Sequence, residues 1–213
     1  MNMILDKPII FAVVGNSGCG KTTAVEFVSK QLGIPVLSSY TTRPMRAGEK
    51  NGREHIFTTK DQIPNRNEMI AYTFFGHHHY WATRSQVDGQ GAILYVIDEA
   101  GLEELLDRFE KIYYIIPIYI QCEYMPWMKN DPQRVNRDQQ RKRLPRNYYR
   151  SIIKNDGTLD DLLENFHFVI NRLLKVDPVE MIANWCRKQC GLPTSKELED
   201  QCKGIGPNGY FCA

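Results

Sequence analysis

The chain has 213 residues, 42% of them hydrophobic and 24% charged, with a formal net charge of +2. That is enough for one substantial core and one small inserted lobe, and it removes any whole-molecule electrostatic argument for a nucleic-acid partner, so basic function must be local. No apolar stretch approaches the about 18 residues of a membrane span, and no internal repeat or low-complexity tract is present.

The first apolar run, 9–14 (IIFAVV), is preceded by Asp6 and Lys7 and leads straight into a glycine-rich loop rather than a small-residue cleavage site, so a cytoplasmic protein is expected. The run reads as a buried strand, and the pattern Ala24, Val25, Phe27, Val28, Leu32 reads as a helix. Between them lies GNSGCGKT, a full match to G-x-x-x-x-G-K-[ST]. A glycine-rich turn from strand to helix lets backbone N–H groups surround phosphate oxygens at a positively polarised helix start. Gly15, Asn16, Ser17, Gly18, Cys19, Gly20, Lys21, Thr22 and Thr23 are therefore the candidate nucleotide-phosphate cradle. Lys21 reaches the β/γ-phosphates and Thr22 offers a hydroxyl to Mg²⁺.

Strand-like runs recur at 34–38, 92–97, 115–122 and 166–170, with room for helical crossovers between them. That rhythm predicts an α/β fold with a parallel, helix-covered sheet. Pro117 cannot donate to a central ladder, so the third of these runs is expected to begin at or after it. Helices are predicted at 102–109 and 179–189. Residues 39 to about 90, rich in Thr, His, aromatic and turn residues without helical period, read as an inserted lobe.

Within that lobe, residues 39–57 read SYTTRPMRAGEKNGREHIF. Two arginines three residues apart, Arg43 and Arg46, suit a phosphate monoester dianion, each being a permanently charged fork able to donate two hydrogen bonds. The segment resembles the acceptor arm of the guanylate kinase family, S-x-x-T-R-x-x-R-x-G-E-x-x-G, and the resemblance extends over about residues 8–175. It implies a P-loop nucleoside monophosphate kinase with an acceptor lobe at about 39–90 and a lid at about 125–155, Mg²⁺-ATP as donor, and GMP, dGMP or a related monophosphate as acceptor. It assigns acceptor binding to Ser39, Arg43, Arg46, to His55 where the family usually has tyrosine, and to Tyr80 within HHHYWAT. It aligns Ala71 with the glutamate expected to read guanine. Asp98 ends the run AILYVI beside the P-loop, where a carboxylate can hold Mg²⁺ through its waters; the same residue also suits a helix N-cap. Asn171 ends FVIN, where the family places an asparagine near adenine, and a simple turn residue fits equally.

The stretch 129–154 is strongly basic and occupies the position of a lid, whose arginines stabilise the transferring phosphoryl group. Arg137 and Arg141 are the catalytic candidates beside Lys21 and Arg43, with Arg143 a third lid candidate, although the segment lacks the family's R-G-T-E motif. A solvated helix face, or a single-stranded nucleic-acid groove with Tyr148 and Tyr149 as platforms, are the alternatives. Three consecutive histidines, His77 to His79, alternate faces in an extended segment and read as a surface turn rather than a metal site.

Domain organisation is expected to be a kinase-like domain over 1–185 and a cysteine-containing extension over 186–213. Four of the six cysteines fall in the last 28 residues with no strong zinc spacing, and a cytosolic redox setting disfavours disulfides. Cys19 reads as a small filler of the loop, although a helix N-terminus can make it oxidisable. The acceptor phosphate is already anionic near neutral pH, so alignment and charge neutralisation are the catalysis expected, without a general base. A sugar-phosphate kinase, or a non-catalytic binding module, stays open. The latter is expected to lose the P-loop lysine, which this chain keeps.

Overall fold

The computed structural model describes residues 7–53, 55–122, 138, 141–176, 180, 183, 187, 190–194 and 196. The chain divides into two compact units, Met1–Ile170 and Asn171–Ala213.

The first unit is built on a five-stranded sheet of order β2-β7-β1-β8-β9, every pairing parallel. Its strands are β1 (Ile9–Val14), β2 (Val36–Leu37), β7 (Ala92–Val96), β8 (Tyr114–Cys122) and β9 (Ser151–Asn155). The central strand β1 is buried at every residue, which is why its sequence is a continuous apolar run without alternation. Helix α1 (Lys21–Leu32) follows β1 and buries Ala24, Val25 and Val28. Helix α2 (Glu99–Phe109) follows β7 and buries Leu102, Leu105 and Phe109 at helical spacing.

The segment between β2 and β7 folds as a second, four-stranded sheet of order β4-β3-β6-β5, made of β3 (Tyr40–Thr41), β4 (Ile56–Phe57), β5 (Met69–Phe75) and β6 (His78–Thr83). Gly76 and His77, at φ 57° and 63°, make the tight turn of the β5–β6 hairpin. Positive φ at both central residues matches the strand twist there. His78 and His79 belong to β6 rather than to a turn. Ala71 sits at φ 52° where the β5–β6 register shifts, and is 3% exposed.

Two sequence expectations are corrected. Residues 166–170 are not a strand but part of helix α3 (Leu159–Leu173). Leu162, Phe166, Ile170 and Leu173 are buried at i, i+4, i+8 and i+11, a 3.6-residue period that the short run FVI conceals. Thr158 and Asp161 exchange hydrogen bonds at the start of this helix, and Asp160 and Asp161 lie in its first turn. The strand taken for 166–170 is instead β9, masked in the sequence by the charged Lys154 and Arg150 at the sheet edge. Strand β8 also does not begin at Pro117 but runs through it. Pro117 presents its carbonyl to the Arg150 N–H at 2.8 Å, so its missing donor faces the β9 side, where residues 146–148 are a 3₁₀ turn and β9 has not yet begun.

In the second unit, residues 171–173 continue α3, and the described residues 180, 183 and 187 of the helix predicted at 179–189 are helical. Cys190 and Leu192 donate their N–H groups back to the Arg187 carbonyl, with Gly191 at φ 67° between them. Cys186, Cys202 and Cys212 lie outside the described residues, as does most of the predicted lid segment before residue 141.

Candidate active site

The glycine-rich loop leaves β1 at the carboxyl edge of the sheet and enters α1. Gly15 sits at φ 153°, and a Cβ there would meet the Ile120 carbonyl oxygen at 2.3 Å, so the neighbouring strand β8 admits no side chain. Gly20 is the N-cap of α1 at φ 81°, and a Cβ there would meet Leu162 at 2.6 Å. The Lys21 ammonium donates to the carbonyls of Gly15 and Asn16 at 2.7 and 2.6 Å, curling over the loop. Thr22 and Thr23 are exposed in the first turn of α1. The Ser17 N–H and hydroxyl both donate to the Asp138 carboxylate, at 3.1 and 3.0 Å, so an anion from the basic stretch already sits on a loop donor.

Cys19 is fully buried and disulfide-bonded to Cys122, with Cα atoms 5.5 Å apart. This corrects the expectation that disulfides are absent and that Cys19 is only filler. The topology explains it, because β8 lies beside β1 and its last residue ends beside the loop that β1 feeds. Asn155, at the end of β9, donates its side-chain amide to the Cys19 carbonyl at 3.3 Å. Asn171 lies on α3 and not at a strand end, so the strand-end asparagine beside the loop is Asn155. Sequence reading passed over it because its strand, SIIKN, was not recognised.

Asp98 follows β7 and caps α2, accepting the Gly101 N–H at 2.7 Å. Its neighbour Glu99 is 1% exposed and ion-paired with Arg141. Arg141 also donates from Nη1 to the Gly15 carbonyl at 2.6 Å, which brings this candidate to the P-loop. Arg137 lies outside the described residues. Arg143 is described, but no side-chain bond to the loop is formed by it among the described residues. The P-loop thus collects Asp138, Arg141, Asn155 and Cys122 from elements far away in the chain.

The second group of candidates lies in the inserted lobe, Tyr80 on β6 and Arg43, Arg46 and His55 in the connection between β3 and β4. Arg43 is 9% exposed and makes a two-pronged pair with Glu49, at 2.9 and 2.8 Å, while its Nη1 also reaches the Pro44 carbonyl at 2.7 Å. Burial alone would lower its pKa, but the Glu49 carboxylate outweighs that and the pKa is raised, with a smaller contribution from Tyr80. For Glu49 burial raises the pKa, and Arg43 and the Arg46 N–H more than reverse it. Arg46 differs from Arg43 in being exposed, and only its backbone N–H bonds Glu49. The two arginines are therefore not equivalent.

The His55 ring packs edge-on against Tyr80 and Phe57, with centroids 5.7 and 6.0 Å away. Burial first, and then the positive charge of Arg43, push its pKa down to about 4. Its Nδ1 is buried with no hydrogen-bond partner among the described residues. The Ser39 hydroxyl bonds the buried Tyr95 hydroxyl at 3.1 Å.

The Thr22 hydroxyl and the Asp98 carboxylate are hard oxygen groups of the kind that could hold a magnesium ion. This is the sparse protein contribution that Mg²⁺ accepts when phosphates and waters supply the rest. Among the described residues no group of three or more His, Cys, Asp or Glu side chains is placed to hold a metal ion by itself.

No family model matches the chain. Over 110 residues it is 31% identical to a guanylate kinase of Nitrobacter winogradskyi, covering 48% of this chain and 50% of that protein. It is 35% identical over 86 residues to a guanylate kinase of Thermotoga maritima, covering 38% of this chain and 42% of that protein. The chain spans about half the length of the curated relatives it matches. A crystal structure of guanylate kinase from Anaplasma phagocytophilum matches with a TM-score of 0.53 at 19% identity, over 78% of this chain and 84% of that one, so the fold is shared.

Proposed function

We propose that this chain, related to the guanylate kinases in sequence over about half its length and in fold over most of it, is an ATP-dependent nucleoside monophosphate kinase acting on GMP, dGMP or a related monophosphate. The observation that carries the reading is the presence in one compact unit of two separate anion-suited groups: the P-loop that follows β1 of the parallel sheet, and, in the inserted lobe, Tyr80 on β6 with Arg43, Arg46 and His55 in the connection between β3 and β4.

In this reading the loop N–H groups and Lys21 bind the donor's phosphates, Lys21 exchanging its contacts with Gly15 and Asn16 for phosphate oxygens. Thr22 and Asp98 would hold Mg²⁺, which would supply charge neutralisation to the donor's phosphates. Arg46 presents an exposed guanidinium to the acceptor phosphate. Arg43 and the neutral His55 line the same arm, His55 able to donate one hydrogen bond. Asn155, whose side-chain amide donates to the Cys19 carbonyl, is in this reading the asparagine on the donor nucleotide's side. No helix of the described residues is long and apolar enough to cross a membrane, and a cytoplasmic location is part of this proposal.

One observation favours a second reading in which the acceptor carries another group than guanine. Ala71, at the position aligned with the guanine-reading glutamate, is buried and held at positive φ, and an alanine cannot accept from guanine's N1–H or amino group. A coupled ADP-release assay across nucleoside monophosphates, deoxynucleoside monophosphates and sugar phosphates tests both. Turnover with GMP or dGMP supports the first reading; turnover confined to a sugar phosphate supports the second; no turnover with any acceptor rejects both.

A further inference from the structure

Glu99 carries a carboxylate that is 1% exposed in the first turn of α2. A buried charge is costly unless it is paired and hydrogen-bonded, and Glu99 is paired with Arg141 through Nε. One turn further along α2, Glu103 pairs with Lys142, so two consecutive basic residues lie along one helix face. The Arg141 guanidinium is itself only 11% exposed. Its three nitrogens are used differently: Nε meets Glu99, Nη1 meets the Gly15 carbonyl at 2.6 Å, and Nη2 is buried with no partner among the described residues. The guanidinium is thus fixed at two points against the first residue of the P-loop, with its third donor uncommitted.

We propose that Glu99 is a positioning residue that holds Arg141 against the P-loop so that Nη2 donates to the terminal phosphate of a bound nucleoside triphosphate. This rests on the nucleotide-binding reading of the P-loop. An arginine fork oriented by a carboxylate keeps its planar donor geometry without the entropy cost of a free side chain. Glu99 touches no nucleotide atom and acts through Arg141 alone. Two tyrosines, Tyr119 and Tyr149, pack beside the pair with rings 4.9 Å apart. Burial and then the Glu99 charge raise their pKa values, so both remain neutral phenols there.

The experiment measures the dissociation constants of Mg-AMP-PNP and Mg-ADP by calorimetry for the full chain and for Glu99→Gln, Arg141→Ala and the double variant, with melting temperatures alongside. Each single variant should lose about tenfold in the affinity for AMP-PNP relative to ADP, about one charged hydrogen bond, and the double variant should lose no more than either single. Because Glu99→Gln leaves a buried guanidinium uncompensated and can unfold the chain, Glu99→Met/Arg141→Met is measured too. This apolar pair should fold and show the same tenfold loss. A Glu99→Gln variant that folds and keeps the wild-type AMP-PNP to ADP ratio overturns the proposal, as do losses that add in the double variant, or an apolar pair that folds and keeps the wild-type ratio. Coupled losses in a protein that transfers phosphate to no acceptor leave the positioning role standing and reject only the kinase reading. Failure to bind either nucleotide rejects both.

Discussion

Arg43 and Glu49 form a two-pronged ion pair whose partners are 9% and 18% exposed, so one of the two acceptor-arm arginines is a structural strut as well as a candidate ligand. Breaking such a pair leaves a carboxylate without its partner, at a cost of roughly 3 kcal/mol for the buried case. Arg43→Met should therefore lower stability by a few kcal/mol, at most about 3 given the residual exposure, and weaken the acceptor together. Arg46→Met, on an exposed side chain, should raise the acceptor KM about tenfold with no change in melting and none in ATP affinity. Urea unfolding and separate titration of the two substrates distinguish them, and equal stability losses would contradict the assignment.

The Lys21 ammonium donates to two loop carbonyls, those of Gly15 and Asn16. Lys21→Ala should leave the melting temperature nearly unchanged while lowering phosphoryl transfer by about 100-fold or more. Near-wild-type turnover in the variant would remove the P-loop from the mechanism.

His55 is half-buried next to Arg43, with its pKa lowered from 6.5 to about 4. The unfolded chain then binds the extra proton over the window between these values, so stability is constant above about pH 6.5 and falls as the pH drops toward 4. The full shift corresponds to at most about 3 kcal/mol, reduced by solvent screening. His55→Asn should flatten this acid slope in unfolding free energies measured between pH 4 and 7. An unchanged slope would assign the acid loss to other groups.

The Cys19–Cys122 bond closes a separation of 103 residues. Cross-links of this span stabilise typically by about 2–4 kcal/mol, mainly by restricting the unfolded chain. Cys122→Ser should melt lower than the wild type without reductant and equally with it. If the two proteins melt together in both conditions, the thiols are not bonded in solution.

Fold and site were legible in the sequence to different depths. The P-loop motif was readable apart from the bonding of Cys19, because its chemistry is local: a buried apolar strand, glycines at fixed offsets, a lysine and a hydroxyl, all within fourteen consecutive residues of one strand-loop-helix unit. The same holds for Asp98, whose position after AILYVI marks both a strand end and a helix cap. At 166–170 the local signal failed, since a three-residue apolar run has no period of its own and only its neighbours Leu162 and Leu173 reveal the helix. Asn171 therefore lies on a helix and not at a strand end, and the asparagine that ends a strand beside the P-loop is Asn155.

The sequence by itself determined a parallel α/β sheet, the glycine-rich loop between strand and helix, and the guanylate kinase-like spacing of Ser39, Arg43, Arg46, Gly48 and Glu49. Only the tertiary structure decided which charges are spent. It commits Arg43 to Glu49, Arg141 to Glu99 and Asp138 to Ser17, and it joins Cys19 to Cys122. These partners lie from six to 121 residues apart in the chain. The reason is physical: a backbone motif is written in consecutive residues, whereas the partner of a buried charge is set by which strands lie side by side, and strand order is not a local property.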